Sequence, residues 1–315
     1  MQLRSTALAL ALLLSARASV FAQVSKTIDL STKQGKNSYY VVFASRGGSS
    51  TGHAFVVWGL EDGVRRKSTI RAFGLYPEND GTNCSSAVRT VPGRVMDELL
   101  NHSVQSINQQ LIIRVDEADF HRSSKIARAW DCRREFSLLS RDCVSFLRAV
   151  GDSLHLEMPS RAITRWSPQA YVRALLASVS EAGRVELEDT VYEGSLVNKK
   201  PMGHGTLTFP DQSEIQGTFW GWGHHVARGR LNGLSSGYRY EGEIVDYRAH
   251  GKGAVFKMVD DTEMPVELLT GNFENGMLQT VIHESAGRKH SRQQLAEQLG
   301  SIEAATRVPA SASTR

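Results

Sequence analysis

Glycine recurs at a nearly constant interval in the C-terminal half of this 315-residue chain. Gly194, Gly217, Gly242 and Gly271 follow one another at steps of 23, 25 and 29 residues, and an aromatic residue stands two positions from each. Glycine at such a period, with aromatic residues between, is typical of a repeat array. Each unit is then one hairpin, which cannot bury its apolar face alone and must stack on its neighbours. The spacing predicts an all-β hairpin array over about residues 190–280.

These units resemble MORN repeats. The resemblance rests on an aromatic-Glu-Gly start, a Gly-x-Gly centre and a Gly-x-Phe return: Tyr192-Glu193-Gly194, Gly203-His204-Gly205, Tyr240-Glu241-Gly242, Gly251-Lys252-Gly253 and Gly271-Asn272-Phe273. The second unit, residues 215–237, keeps Gly217 but has Arg228-Gly229-Arg230 at its centre, and the fourth is a degenerate cap. The resemblance implies a structural or binding element with a protein or lipid partner.

The first 22 residues have the pattern of a secretory signal peptide. Arg4 precedes a run of Ala and Leu from Ala7 to Leu14, and small residues lead to Ala22. A basic start, a short apolar stretch and a small-residue exit are typical of such leaders, and the stretch is shorter than the roughly 20 apolar residues that a membrane span needs. We therefore expect cleavage after Ala22, no transmembrane segment in the mature chain, and export to the periplasm or the cell exterior.

Removal of this leader changes what the net charge implies. The whole chain carries a formal charge of +4 and a sequence pI near 9.0. Cleavage removes Arg4 and Arg17 and no acidic residue, so the mature charge is 4 − 2, or +2. A nearly neutral protein gives no argument for a nucleic-acid partner.

The segment before the repeats predicts strands followed by helices. Residues 23–38 are polar and predict a loose lead-in, and residues 91–100 include a short helix pattern. The predicted strands are Tyr39–Ala44, His53–Trp58, Ser68–Leu75 and Gln110–Val115, and the predicted helices are Glu117–Cys132, one from about Asp142 to Gly151, and one from Ser167-Pro168 to about Ser178. The tail, 285–315, is polar and predicts partial disorder.

Cys143 and His53 are the pair in this segment that predicts chemistry. Cys143 stands at the predicted start of a helix, where the helix dipole and a neighbouring protonated histidine lower the pKa of a thiol. His53 begins a strand after a glycine loop, so its ring can be presented at a sheet edge. A Cys–His dyad supports acyl transfer, in which a thiolate attacks a carbonyl and the imidazolium protonates the leaving group. Alternatively, Cys143 is half of a disulfide with Cys84 or Cys132.

Residues of about 38–175 resemble the circularly permuted NlpC/P60 branch of papain-like proteins. The matching stretches are Thr51–Gly59, around His53, and Arg141–Leu147, around Cys143, with the aromatic segment Phe73–Pro77 between them. The resemblance implies an α+β fold for residues 23–180, with an antiparallel sheet plus helices, and a cysteine peptidase or amidase with Cys143 as nucleophile and His53 as base. Relatives include lipid acyltransferases and thioesterases.

Two features depart from that family pattern. Asp142 stands where many relatives have Asn; it is a good N-cap, yet its charge opposes formation of the thiolate beside it. The third polar residue of such a site, which would orient His53, is not evident. Asp62 is a weak candidate for it. Ser68 and Arg71 also lie near the expected position, and Glu78 and His102 are more distant choices. A Cys84–Cys132 disulfide leaves Cys143 free and suits a catalytic role.

The leading hypothesis is an exported cysteine hydrolase that acts on an amide or ester carbonyl, cell-wall peptide being the first candidate substrate. A MORN module binds a partner or holds the enzyme near its substrate. The chemistry needs no metal and no organic cofactor. The alternatives are a lipid or protein acyltransferase or thioesterase, and a non-catalytic secreted interaction protein with a degenerate papain-like fold.

Overall fold

A computed structural model describes residues 24–32, 35–47, 52–78, 89–101, 107–161, 167–187, 190–210, 214–221, 226–233, 237–245, 248–257 and 266–284. The predicted leader and polar tail, Cys84 and His102 lie outside these residues. The chain divides into two compact units, Met1–Val179 and Ser180–Arg315. Among the described helices, none is long and apolar enough to cross a membrane.

The first unit contains a seven-stranded sheet in the order β1-β6-β2-β3-β4-β5-β7. Neighbouring strands are antiparallel except β1 and β6, which are parallel. The strand bounds are β1 Val24–Asp29, β2 Asn37–Arg46, β3 His53–Asp62, β4 Lys67–Pro77, β5 Val91–Asp97, β6 Ile107–Val115 and β7 Glu135–Phe136. The predicted loose lead-in at 23–38 is therefore wrong, because its first residues pair with the edge of β6.

Four helices accompany this sheet in the described residues: α1 Glu98–Asn101, α2 Glu117–Arg133, α3 Cys143–Ser153 and α4 Pro168–Ser178. Asp142 caps α3 by accepting the N–H of Ser145 at 2.9 Å, and Ser167 caps α4 with Pro168 at its first position. The predicted helix starts at Asp142 and Ser167 are thus confirmed. Trp58 of β3 donates from Nε1 to Ser123 Oγ at 3.0 Å, which ties the sheet to α2.

The predicted α+β papain-like fold is wrong. Of the described residues, 61% are strand and 21% are helix, and two large sheets dominate the structure. Part of the error lies in residues 91–100, where a strand precedes a helix of only one turn, and in residues 179–187, which form a further strand, β8 (Val179–Leu187). Apolar residues at these positions alternate as readily in a strand as in a short helix.

The second unit is a nine-stranded antiparallel meander in which every strand pairs with the next along the chain. After β8, the strands are β9 Thr190–Val197, β10 Lys200–Thr208, β11 Glu214–Trp220, β12 Val226–Gly233, β13 Tyr238–Val245, β14 Arg248–Lys257, β15 Val266–Glu274 and β16 Met277–Glu284. Consecutive hairpins stacked side by side are the array that the glycine period predicts.

Seven of its glycines form one continuous row across the sheet. The register aligns Gly194, Gly205, Gly217, Gly229, Gly242, Gly253 and Gly271 on consecutive strands. A Cβ on Gly205 would lie 2.3 Å from the Tyr192 hydroxyl, and one on Gly253 would lie 2.3 Å from the Tyr240 hydroxyl. Gly205 and Gly253 therefore leave room for the tyrosine side chains that lie directly over them.

The core of this unit repeats with the sequence. Tyr192 and Tyr240 are fully buried and each packs edge-on against a phenylalanine, Phe219 at 5.1 Å and Phe273 at 5.0 Å between ring centroids. The Tyr240 hydroxyl lies 2.8 Å from the carbonyl oxygen of Glu243. The Tyr192 hydroxyl lies 3.1 Å from that of Ser195. The first and third repeats thus bury the same aromatic pair in the same way.

Candidate active site

Cys143 is the first residue of α3 and is 7% exposed. Helix α3 packs against β3 and β4, which brings its N-terminus to the sheet. Burial raises the pKa of the Cys143 thiol to about 12, and the charge of Asp142 adds to the rise. Hydrogen bonds from the backbone N–H groups of Ala54 and Val144 act in the opposite direction. The resting thiol is therefore neutral.

The thiol lies where two strands of the sheet separate. The β3–β4 ladder runs from Asp62↔Lys67 to Val56↔Phe73, and from Phe73 onward β4 pairs with β5 on its other side. Ala54 lies beyond the last pair, and its N–H hydrogen-bonds the Cys143 thiol. This gap in the ladder, which we call the β3–β4 fork, places the thiol beside the residue that follows His53.

His53 is held by an acidic and an aromatic partner. Its Nε2 lies 3.1 Å from Oε1 of Glu98, and its ring stacks on Tyr76 at 4.1 Å between centroids. The His53 side chain is 14% exposed. A Cβ on Gly74 would lie 2.4 Å from His53 Nε2 and 2.3 Å from Glu98 Oε1, so the pair occupies the space that a side chain at Gly74 would need.

Glu98 is the residue that sequence reasoning missed. It is 3% exposed, begins α1, and its second carboxylate oxygen forms an ion pair with Arg46. Its neighbour Asp97 accepts the N–H of Leu99 at 2.9 Å, which fixes the turn into the helix. The one signal for Glu98 in the sequence is an acidic residue directly after a strand. In the fold, the pairing of Gly74 with Met96 brings Glu98 to His53.

The structure brings Cys143 and His53 to the same end of β3 but gives them different hydrogen-bond partners. Side chains alternate along a strand, so His53 lies on the face of Phe55, whereas Ala54 and Trp58 lie on the face that α2 covers. The groups that hydrogen-bond the thiol are backbone N–H groups, and the His53 ring is not among them. Tyr76 lies close enough for the charge of Cys143 to contribute to its raised pKa. Cys143 and His53 therefore lie near the same end of β3, on opposite faces of the strand.

Asp62, the weak candidate for a third polar residue, lies at the opposite end of β3 from His53. Nine residue steps along the strand separate them by about 30 Å. Its carboxylate accepts the N–H groups of Val64 and Arg65, both at 2.9 Å, and the first cause of its lowered pKa is the bond from Arg65. Asp62 therefore fixes a turn, and Glu98 holds His53.

The charge of Asp142 beside the thiol is balanced by Arg161. The guanidinium of Arg161 lies 2.6 Å from Asp142 Oδ2 and also donates to the Leu138 carbonyl and the Ser145 hydroxyl. Burial raises the pKa of Asp142, while Ser145 and Arg161 oppose that rise. Arg161 thus reduces the penalty that an acidic residue before the cysteine imposes on a thiolate.

The remaining cysteines and candidate ligands are distributed as follows. Cys132 is exposed, and among the described residues Cys132 and Cys143 are not bonded to each other. Cys84 lies outside the described residues, so the Cys84–Cys132 and Cys84–Cys143 disulfides stay predictions. Glu78 is exposed, and its backbone N–H donates to the Pro92 carbonyl at 2.9 Å. In the described part of the chain, no group of three or more His, Cys, Asp or Glu residues could hold a metal ion.

The second unit presents a polar trough on the sheet. It has a volume of about 550 Å³ and is lined by side chains of β11 to β15 around the glycine row. Arg230 and Glu241 pair across neighbouring strands at 3.0 Å, and Arg239 also contacts Glu241 at 3.0 Å. Partly exposed charges of both signs along a rigid sheet form a surface suited to a protein or lipid headgroup partner.

Comparison with known proteins finds MORN repeats in two segments of the second unit. The MORN repeat family matches residues 192–214 and 240–254, the first and third of the predicted repeats. These are the two repeats that bury a tyrosine over the glycine row. No curated protein matches the sequence. The MORN assignment is thus supported by residues, register and family comparison, whereas an NlpC/P60-like domain finds no support.

Proposed function

We propose that the first unit is a thiol-dependent hydrolase or acyltransferase that acts on an amide or ester carbonyl, and that the MORN repeats bind its protein or lipid partner. The observation that carries the proposal is the position of Cys143 at a helix start, where its thiol is hydrogen-bonded by the N–H of Ala54. Ala54 directly follows His53, whose ring is held by Glu98. A nucleophile, an acid–base group and an orienting carboxylate within one sheet end are the components of thiol acyl transfer.

In the proposed mechanism, the substrate carbonyl enters the β3–β4 fork. His53 takes the proton of the neutral Cys143 thiol as the sulfur attacks the carbonyl carbon, and then returns it to the leaving group. Water or an acceptor alcohol or amine releases the acyl group from sulfur. In this scheme the backbone N–H of Cys143 stabilises the oxyanion, because N–H groups at a helix start point toward its N-terminus. The N–H groups of Val144 and Ser145 already bond the thiol and Asp142. Hydrogen bonds between catalytic groups are often long or absent without substrate. The scheme is therefore compatible with a Cys143 thiol and a His53 ring that have different hydrogen-bond partners in the free protein.

The proposed export makes cell-wall peptide the first substrate class to test. The leader pattern of residues 1–22 is the basis for proposing a periplasmic or extracellular location. Lipid and protein acyl groups are the alternative substrates, since the same thiol chemistry applies to esters and amides. No organic cofactor or metal enters the scheme.

A second candidate is a non-catalytic interaction protein. The burial of Cys143, 7% exposed with a pKa raised to about 12, favours this alternative because reactive thiols are usually accessible and have lowered pKa values. In that case the first unit is a scaffold and the polar trough of the MORN sheet carries the function.

The test uses the full secreted chain with peptidoglycan fragments and with lipid esters as substrates. We compare the natural protein with Cys143→Ala and with Cys132→Ala, which removes an exposed thiol as a matched control. The hydrolase proposal expects turnover that Cys143→Ala abolishes and Cys132→Ala preserves. Equal turnover by all three proteins, or none on either substrate, would sink it and leave the interaction protein.

A further inference from the structure

A cavity of about 580 Å³ lies between α2 and the adjoining face of β3, β4 and β5. We call it the α2 cavity, and its volume is in the range of pockets that bind small organic ligands. Its apolar wall is formed by Trp58, Leu60, Phe73, Val95 and Phe120. The Trp58 indole is 2% exposed, and its N–H is already satisfied by Ser123, so the ring offers the cavity an apolar surface.

The rim of the α2 cavity is basic. Arg71 of β4 and Lys125 and Arg128 of α2 are exposed and line the cavity, and among the described residues none of the three forms an ion pair. The one carboxylate in the lining is Asp131, whose Oδ1 accepts the N–H of Val95 at 3.1 Å. The lining therefore contains three cationic side chains and one carboxylate, and that carboxylate already bonds the backbone of β5.

We propose that the α2 cavity binds a small amphiphile with an apolar chain and a single anionic head group, of the fatty-acid class. The aromatic wall removes the chain from water, at roughly 25 cal/mol for each Å² of apolar surface buried. The guanidinium groups of Arg71 and Arg128 approach the rim from the sheet and the helix, and a carboxylate between them can accept from both. The apolar wall and the cationic rim together favour an amphiphile with an anionic head group over an amphiphile with a neutral or cationic head group.

The lining of this binding site does not include the proposed catalytic residues. The α2 cavity lies on the sheet face of Trp58, and His53 lies on the opposite face; none of the cavity's lining residues is Cys143, His53 or Glu98. Ligand binding there can be measured whether or not the chain has hydrolytic activity.

The probe is dodecanoate below its micellar concentration, measured by titration calorimetry with the full chain. Dodecanol and dodecyltrimethylammonium test the need for the anion. The variant Arg71→Gln/Arg128→Gln removes two rim charges, and Arg173→Gln, at an exposed position of α4, is the matched control for loss of a surface arginine. Thr69→Trp, at an exposed strand position in the lining, fills the cavity without altering the core.

We expect saturable binding of one dodecanoate per chain, and no binding of the other two amphiphiles. The double variant should weaken binding by about tenfold or more, because each charge-assisted hydrogen bond contributes on that order. Thr69→Trp should abolish binding, and Arg173→Gln should leave it unchanged. Absence of dodecanoate binding, equal binding of dodecanol, or indifference to both cavity variants overturns the proposal. Binding only to anionic phospholipid vesicles also overturns it, in favour of a lipid surface.

Discussion

Glu98 holds Nε2 of His53 at 3.1 Å and shares its carboxylate with Arg46. Glu98 and Arg46 are both mostly buried, with side-chain exposures of 2% and 11%. A carboxylate at Nε2 favours the proton on that nitrogen, so that Nδ1 is the basic nitrogen of the neutral ring. The orientation of the histidine therefore depends on one residue that also neutralises a buried guanidinium.

Glu98→Gln should lower both activity and stability. Glutamine keeps the shape but loses the charge that fixes the tautomer of His53, so we expect kcat/KM to fall by about a hundredfold. Leaving Arg46 buried without its partner should cost about 3 kcal/mol of unfolding free energy, measured by urea denaturation. The double variant Glu98→Gln/Arg46→Gln removes both charges and should recover much of the stability but not the activity. Equal stability of Glu98→Gln and the natural chain would contradict the buried ion pair.

Gly74→Ala should displace the same pair. The added Cβ would lie 2.4 Å from His53 Nε2 and 2.3 Å from Glu98 Oε1, closer than real Cβ contacts allow. We expect about 1–3 kcal/mol of destabilisation and a loss of activity that exceeds the loss of folded protein. Gly35→Ala is the control, because its Cβ would meet its nearest neighbour at an ordinary 3.6 Å. If the Gly74 variant keeps full activity at unchanged stability, the ring and carboxylate do not occupy that space.

The second unit was predictable from the sequence because its signal is periodic. Gly194, Gly217, Gly242 and Gly271 are all in the row that the register aligns. A repeat presents the same residue types several times, so chance matches at a single position matter little. The sequence could not show why Gly205 and Gly253 must be glycine, since that depends on Tyr192 and Tyr240 lying over them.

The first unit was harder to predict because its site depends on pairing between distant strands. Asp142 and Ser167 were recognisable as helix caps, since capping is a local effect. Glu98 was missed because the contact with His53 spans 45 positions and arises only when β5 adds to β4. The β3–β4 fork likewise leaves no signal in the local sequence, because it depends on which strands pair. The predicted papain-like fold failed where short segments of mixed composition, such as residues 91–97, are strands.

Stability should fall at alkaline pH through Cys143. The pKa of its thiol is raised from 9.0 to about 12 by burial, so the stability that this group contributes is fully present below pH 9 and is lost as the pH rises toward 12. Between pH 8 and pH 10 the natural chain should lose on the order of 1 kcal/mol more unfolding free energy than Cys143→Ala. Denaturant titrations of both proteins at the two pH values measure the difference. Parallel pH profiles would show that the thiol ionises as readily in the folded chain as in the unfolded one.

Tyr240→Phe should destabilise the MORN sheet without affecting the first unit's chemistry. The Tyr240 hydroxyl lies 2.8 Å from the Glu243 carbonyl and 3.1 Å from that of His250, inside a fully buried environment. Removing it leaves buried carbonyl oxygens without this donor, at a cost of about 1–2 kcal/mol. Tyr238→Phe is the matched control: this residue is partly buried on the same strand, and no hydrogen bond of its hydroxyl is found among the described residues, so its loss should cost under about 0.5 kcal/mol. Thermal unfolding followed by near-ultraviolet circular dichroism measures both variants. The two substitutions are expected to differ in destabilisation only because Tyr240 has a buried, hydrogen-bonded hydroxyl. Equal destabilisation by both would mean that Tyr240 stabilises the array through its ring alone.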